Sequence, residues 1–83
     1  MFKRSRLEIC FDILKVVEKG VAKQTKIIYN AYLSWQILNE VLPNLVTKGF
    51  IREELLKNSK RYHLTDKGNN ALFFYRKSLE GFD

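Results

Sequence analysis

The amino-acid sequence predicts a small α+β domain that is mostly helical. Apolar residues recur with helical spacing in three successive segments before Gly49. The period then changes to two over a pair of short runs, and a helical pattern returns after Thr65. We therefore expect a three-helix core, a two-stranded hairpin and a C-terminal helix, all in one domain over residues 1–83.

The charge of the chain indicates a polyanionic partner. Fifteen Lys and Arg against nine Asp and Glu leave a net charge of +6, which favours nucleic acid first and an anionic membrane second. No apolar run approaches the length of a membrane span, and Glu8 and Asp12 interrupt the apolar stretch near the basic start. We expect no membrane segment, no signal peptide and an intracellular, cytoplasmic location.

The sequence offers no pattern for catalysis or metal binding. Cys10 is the single cysteine and His63 the single histidine, which excludes an intrachain disulfide and a zinc cluster. No Ser/His/Asp grouping, HExxH, GxGxxG or phosphate-binding loop is present. We expect neither enzyme activity nor a cofactor, metal or small-molecule ligand.

The first helix is predicted over residues 5–19, with Ser5 and Glu8 forming a capping box. Its polar residues make one narrow stripe, and the rest of its circumference is apolar. Because a small core covers only one side of such a helix, another subunit or the last helix must cover the remainder.

The second helix is predicted over residues 24–30, and residues 31–33 form a short turn into the third. Lys23 and Lys26 lie at the start of the second helix, where they could meet phosphate. Two helices joined by so short a turn make a helix-turn-helix motif. We expect the Trp35 ring to pack against the second helix.

The third helix, over residues 34–49, is predicted to be the recognition helix. Ser34 is its N-cap, Gly49 its stop, and Leu38, Leu42 and Leu45 its buried stripe. The opposite face carries Gln36, Glu40, Pro43 and Thr47, with Ile37 and Asn44 on one flank and Asn39 on the other. The alternative is an ordinary amphipathic core helix with a polar outside.

Pro43 is unexpected in the interior of this helix. A proline there removes one backbone hydrogen bond and clashes with the carbonyl four residues earlier. We expect a kink or local unwinding over residues 39–43, and the alternative is a break that leaves the helix short.

A basic hairpin is predicted after Gly49, with strands at residues 51–56 and 61–64. Asn58 is a good turn residue, and Lys57, Lys60 and Arg61 lie at or beside the tip. A basic hairpin directly after a recognition helix is typical of a wing. The alternative is a solvated turn, in which lysine is common.

Thr65 is predicted to cap a last helix over residues 66–80 that is too rich in aromatic residues for one narrow core stripe. Either this helix folds back over the core, or residues 65–83 pair with their twin in a homodimer, which we favour. Cys10 is then either a small buried hydrophobe or half of a disulfide across the axis. The expected interface comprises Leu7, Cys10, Phe11, Leu72, Phe74, Tyr75, Leu79 and Phe82.

Three stretches carry a resemblance to a known family: residues 25–34 (TKIIYNAYLS), the run from Leu42 to Ile51, and Leu64-Thr65-Asp66-Lys67-Gly68. Together with the order of elements, they resemble archaeal winged helix-turn-helix transcriptional regulators, including small archaeal and archaeal-virus DNA-binding proteins and their chromatin relatives. The resemblance implies homodimers that bind duplex DNA, with the last helix at the interface. Pro43 and Glu40 depart from the pattern of the recognition helix.

We therefore expect a sequence-specific binder of double-stranded DNA that regulates transcription by occupying an operator. The alternatives are a chromatin-type protein that coats DNA with little sequence preference, and a winged helix that binds proteins. Lys3, Arg4 and Arg6 form a possible basic arm. The expected DNA-binding residues are Lys23, Lys26, Ser34, Gln36, Ile37, Asn39, Glu40, Asn44, Lys57, Asn58, Lys60 and Arg61.

Overall fold

Four helices and one β-hairpin make up residues 3–81, the part of the chain that the computed structural model describes. This order confirms the predicted mostly helical α+β architecture. Within these residues, no helix has both the length and the apolar character that crossing a bilayer requires. The elements are α1 (Arg6–Glu18), α2 (Gln24–Ala31), α3 (Trp35–Thr47), β1 (Ile51–Leu56), β2 (Ser59–Leu64) and α4 (Asp66–Glu80).

Side-chain caps fix the starts of three helices. The Ser5 hydroxyl accepts from the Glu8 backbone N–H at 3.1 Å, and the Glu8 carboxylate accepts from the Ser5 N–H at 3.2 Å, which confirms the capping box. Ser34 caps α3 and Thr65 caps α4 in the same way, each accepting one backbone N–H at 3.1 Å. Since these donors have no partner inside the helix, each cap determines where its helix begins.

The core lies where all the elements meet. Ile13 of α1, Ile27 of α2, Leu38 of α3 and Ile51 of β1 are almost fully buried in it. Leu72 of α4 joins them with no exposed surface. The prediction that Leu72 lies at a subunit interface is therefore wrong, because the core of its own chain already covers this side chain.

α3 runs through Pro43 as an unbroken α-helix from Trp35 to Thr47. The predicted local unwinding and the alternative of a break are both wrong. Pro43 and Asn39 lie on the exposed side of α3, so water can reach the carbonyl that the missing N–H leaves free. One residue further on, the Asn44 side-chain amide donates to the Glu40 carbonyl at 3.2 Å.

The hairpin is antiparallel, with six residue pairs from Ile51↔Leu64 to Leu56↔Ser59. β2 begins two residues earlier than residue 61, the predicted start, so the turn contains only Lys57 and Asn58. The base of the hairpin is tied to the helices, since the Tyr62 N–H donates to the Ala22 carbonyl at 3.0 Å. The hairpin is thereby held against the loop between α1 and α2.

Gly68 permits the closest approach of α4 to the rest of the chain. A Cβ added at this position would overlap the carbonyl oxygen of Phe50 and lie 2.7 Å from Cδ1 of Leu64. Both neighbours belong to the hairpin and its base, so the first turn of α4 packs directly on them.

We expect Gly68→Ala to lower the free energy of unfolding by about 2 kcal/mol, because the backbone must move to admit the methyl group. The control is Gly81→Ala at the end of α4, where the nearest atom to an added Cβ is 3.4 Å away. Chemical denaturation followed by circular dichroism measures both variants. Equal stability of Gly68→Ala and the unmodified protein would contradict the close packing described here.

Candidate nucleic-acid interface

A groove between α3 and the hairpin brings together polar side chains from three elements. Gln24 comes from the start of α2, Asn39 and Thr47 from α3, and Glu53 and Lys60 from the hairpin. Strand alternation explains the hairpin side, because Glu53 pairs with Tyr62 in the register and shares its face with Lys60. The groove is therefore set by the way the hairpin docks on the helices.

Tyr62 connects the two sides of this groove through hydrogen bonds. Gln24 Nε2 donates to the Tyr62 hydroxyl at 3.0 Å, and that hydroxyl donates to Glu53 Oε2 at 3.3 Å. Burial, together with the Glu53 carboxylate, raises the pKa of the Tyr62 phenol above its usual value. Lys60 Nζ lies 4.0 Å from Glu53 Oε1 and partly offsets that negative charge.

The exposed face of α3 carries most of the residues that the sequence predicted for it. Gln36, Asn39, Pro43 and Thr47 are exposed as expected. The Trp35 ring, expected to pack on α2, keeps 51% of its surface exposed beside them. The Ser34 hydroxyl is engaged as the helix cap, so it contributes to the interface mainly by fixing the first turn of α3.

Three residues predicted to bind DNA belong to the α1 side of α3. Ile37 is partly buried and packs against the core. Glu40 Oε2 accepts from the Arg6 guanidinium at 3.1 Å, and Asn44 lines the apolar pocket between α1 and α3. The core covers part of the Ile37 side chain, whereas Glu40 and Asn44 are exposed on α3 with neighbours from α1, so their contact with DNA stays a prediction.

The predicted basic arm is largely occupied within the chain. The Arg4 guanidinium donates to Asp12 Oδ2 at 2.9 Å and to the backbone carbonyls of Ala31 at 2.7 Å and Tyr32 at 2.5 Å. It thus satisfies acceptors left over at the end of α2, where Tyr32 turns left-handed with φ of 55°. Arg6 pairs with Glu40. Among residues 3–81, Lys3 is therefore the one residue of the arm that forms no ion pair.

The other basic residues that were predicted to bind DNA lie at the start of α2 and on the hairpin. Lys23 and Lys26 are exposed at the start of α2, and Lys57 is exposed at the hairpin tip beside Asn58. Among residues 3–81, no carboxylate lies within 4.0 Å of these three ammonium groups. Arg61 lies on the other face of the hairpin, towards the loop after α1, so it does not join the groove.

Sequence reasoning missed two exposed aromatic rings at the helix-turn-helix. Tyr29 is 82% exposed and Tyr32 is 86% exposed. The position of Tyr29 could have been predicted, because it falls opposite the buried stripe of Ile27 and Ala31. The exposure of Tyr32 could not, since it follows from the left-handed end of α2.

Comparison with known protein families identifies the family to which this chain belongs. The winged helix-turn-helix family profile matches residues 3–80. The chain belongs to the winged helix-turn-helix family. The predicted resemblance to archaeal members is confirmed by the relatives and the solved structure described next.

Two relatives come from Methanocaldococcus jannaschii. The uncharacterized protein MJ0287 is 34% identical over 67 residues, which cover 81% of this chain and 65% of that protein. The uncharacterized protein MJ0290 is 39% identical over 70 residues, which cover 84% of this chain and 31% of that protein. This winged helix-turn-helix chain therefore spans about two thirds of one relative and one third of the other.

A solved structure shares the fold over nearly the whole chain. Sso10a-2 of Sulfolobus solfataricus, described as a DNA-binding protein, superposes with a TM-score of 0.81 at 27% sequence identity. The match covers 93% of this chain and 80% of that one. The arrangement of helices and wing in this chain is thus similar to that of a protein described as binding DNA.

Proposed function

We propose that this chain binds double-stranded DNA, with α3 in the major groove and the hairpin as the wing over the flanking backbone. The observation that carries the proposal is a set of exposed lysines without a carboxylate partner among residues 3–81, Lys23, Lys26 and Lys57, on the two elements that border the groove beside α3. Such cations bind phosphates and fix the position of a helix whose first turn reads bases. The likeness to Sso10a-2 supports the same function.

The proposed role is that of a transcriptional regulator that acts by occupying its operator. Gln36 and Asn39 are the residues whose amides can pair with base edges, adenine above all. Trp35 adds an apolar surface beside them that suits thymine methyl groups. Trp35 and Gln36 lie in the first turn of α3 and Asn39 begins the second, and this end of a recognition helix usually enters the groove most deeply.

A second candidate is a chromatin-type protein that coats DNA with little sequence preference. The observation that favours it is the engagement of the Glu40 carboxylate by Arg6 and of the Asn44 amide by a backbone carbonyl, which leaves fewer free groups on α3 to read bases. Binding-site selection from random duplexes, repeated at several salt concentrations, separates the two functions. A protein-binding winged helix would instead show no salt-sensitive DNA binding.

We also propose a homodimer with α1 and α4 at its centre. Leu7 of α1 is 63% exposed, and Phe74 and Leu79 of α4 are 65% and 47% exposed, which is a large apolar surface for two helices of one small domain. Phe11 and Tyr75 stack at 3.9 Å between ring centroids and hold α4 on α1. Cys10 is half-buried nearby, and Phe82 lies outside the described residues.

Gln36→Ala should weaken binding to the selected site by roughly 1–3 kcal/mol and leave binding to random duplexes nearly unchanged, because it removes a base contact rather than a phosphate contact. Titrations by fluorescence anisotropy on both duplexes measure the two values. The control is Thr25→Ala, an exposed polar residue on α2. An equal loss on both duplexes would rule out base reading by Gln36.

Removing Lys57 and Lys60 together should make the log–log salt dependence of binding shallower by about one to two, since each lost phosphate contact lowers the slope by about one. Lys57 should account for the larger part, because Lys60 is already near Glu53. Lys19→Ala at the end of α1 is the matched control and should leave the slope unchanged. An unchanged slope in the double variant would show that the wing does not touch DNA.

Replacing Phe74 and Leu79 with lysine should convert the dimer to monomers that bind DNA much more weakly, because the apolar contact between the subunits is lost. Analytical ultracentrifugation measures the mass, and Leu56→Lys on the hairpin is the control. In the dimer we expect half-sites about 34–36 Å apart on a roughly palindromic site. A monomeric unmodified protein would contradict both expectations.

A further inference from the structure

Two leucines next to the hairpin tip are exposed to solvent. Leu55 is 70% exposed and Leu56 is 43% exposed, although both lie within a regular strand. The register pairs Leu55 with Lys60 and Leu56 with Ser59. Since side chains alternate along a strand, Leu55 shares the face of Glu53 and Tyr62, whereas Leu56 lies on the opposite face.

The face that carries Leu55 is the face that borders α3. Glu53, Lys60 and Tyr62 line the groove together with Asn39 of that helix. Leu55 lies one residue pair before the turn, so the hairpin holds it near its far end and on the side of the candidate DNA-binding helix. A ligand that filled the groove beside α3 and continued along the wing would therefore meet this side chain.

The groups around Leu55 combine an apolar surface with positive charge. Lys57 follows it in the turn, Lys60 is its cross-strand partner, and Asn58 offers an amide at the tip. A partner that matches this pattern carries anionic groups on its outside, which the lysines can bind. It also has an apolar interior that the Leu55 side chain can enter. Duplex DNA has both, because its phosphates flank stacked base pairs.

We propose that Leu55 enters the minor groove beside the segment that α3 occupies, inserts between two base pairs and bends the duplex there. This inference rests on the proposed DNA binding. Lys57 and Lys60 would hold the phosphates on the two strands that border the inserted side chain. The two hairpin strands give Leu55 a fixed direction, so its insertion requires little ordering of the protein.

The insertion would add sequence preference at base pairs that no polar side chain reads. Pyrimidine–purine steps unstack most easily, so sites with such a step under the wing should bind better than sites without one. The preference would come from the ease of deformation rather than from hydrogen bonds. An anionic lipid surface is the competing partner, but one leucine buries too little apolar surface to anchor a protein there.

The experiment uses the selected duplex, about 30 base pairs long, with fluorophores at both ends to report bending. Leu55→Ser should lower the affinity roughly tenfold, as expected when a buried leucine is returned to water. It should also straighten the duplex and leave the salt slope unchanged. Leu55→Met should keep the bend, and Leu56→Ser should behave as the unmodified protein.

A second set of measurements tests whether Leu55 enters the minor groove of the DNA. Diaminopurine in place of adenine under the wing places an amino group in the minor groove, which should weaken the unmodified protein but not Leu55→Ser. Circular dichroism checks that each variant is folded.

The outcomes separate this inference from the proposed function. Salt-sensitive binding with the same bend in Leu55→Ser would overturn the insertion alone. Absence of DNA binding by the unmodified protein would overturn the proposed function as well. Binding to anionic vesicles that is lost in Leu55→Ser, while DNA binding and bending persist, would assign Leu55 to a lipid surface and overturn the insertion.

Discussion

The junction of α3, the hairpin and α4 is the constraint on which the rest of the structure depends. The Thr65 hydroxyl donates to the Gly49 carbonyl at 2.5 Å while it accepts from the Gly68 N–H, and the Thr65 N–H donates to the Phe50 carbonyl at 3.2 Å. Gly49 has a φ of 84°, which lets the chain leave α3 and enter β1 at once. These bonds set the angle between α3 and the hairpin, and hence the width of the groove between them.

Local signals in the sequence were enough to predict most of the elements. Ser5, Ser34 and Thr65 cap helices as expected, because a cap needs only the next three residues. The engagement of the Glu40 carboxylate in an ion pair was not predictable in this way. It depends on Arg6, which is 34 residues away in the chain, and periodicity carries no information on such a contact. The start of β2 was also missed, since Ser59 and Lys60 have no apolar alternation to mark a strand.

The apolar surplus of α1 and α4 has two separate explanations. Part of it is covered within the chain, because Leu72 enters the core and Tyr75 stacks on Phe11. An ion pair adds to this contact, as Arg76 binds Glu18 through two hydrogen bonds at 3.0 Å and 2.7 Å and lowers the pKa of that carboxyl. The fold-back of the last helix and an exposed surface for a partner are therefore not exclusive. The exposed remainder, which includes Phe74, is what supports the proposed dimer.

The hydrogen bonds of Arg4 connect the turn of the helix-turn-helix to a residue far away in the chain. Its guanidinium reaches the Ala31 carbonyl across 27 residues, so the turn between α2 and α3 is completed by a residue that precedes α1. Forming such a contact closes a long loop, which costs chain entropy. A fragment that contained only α2 and α3 would leave those carbonyls without their donor. The smallest piece of this chain that keeps these hydrogen bonds therefore begins before α1.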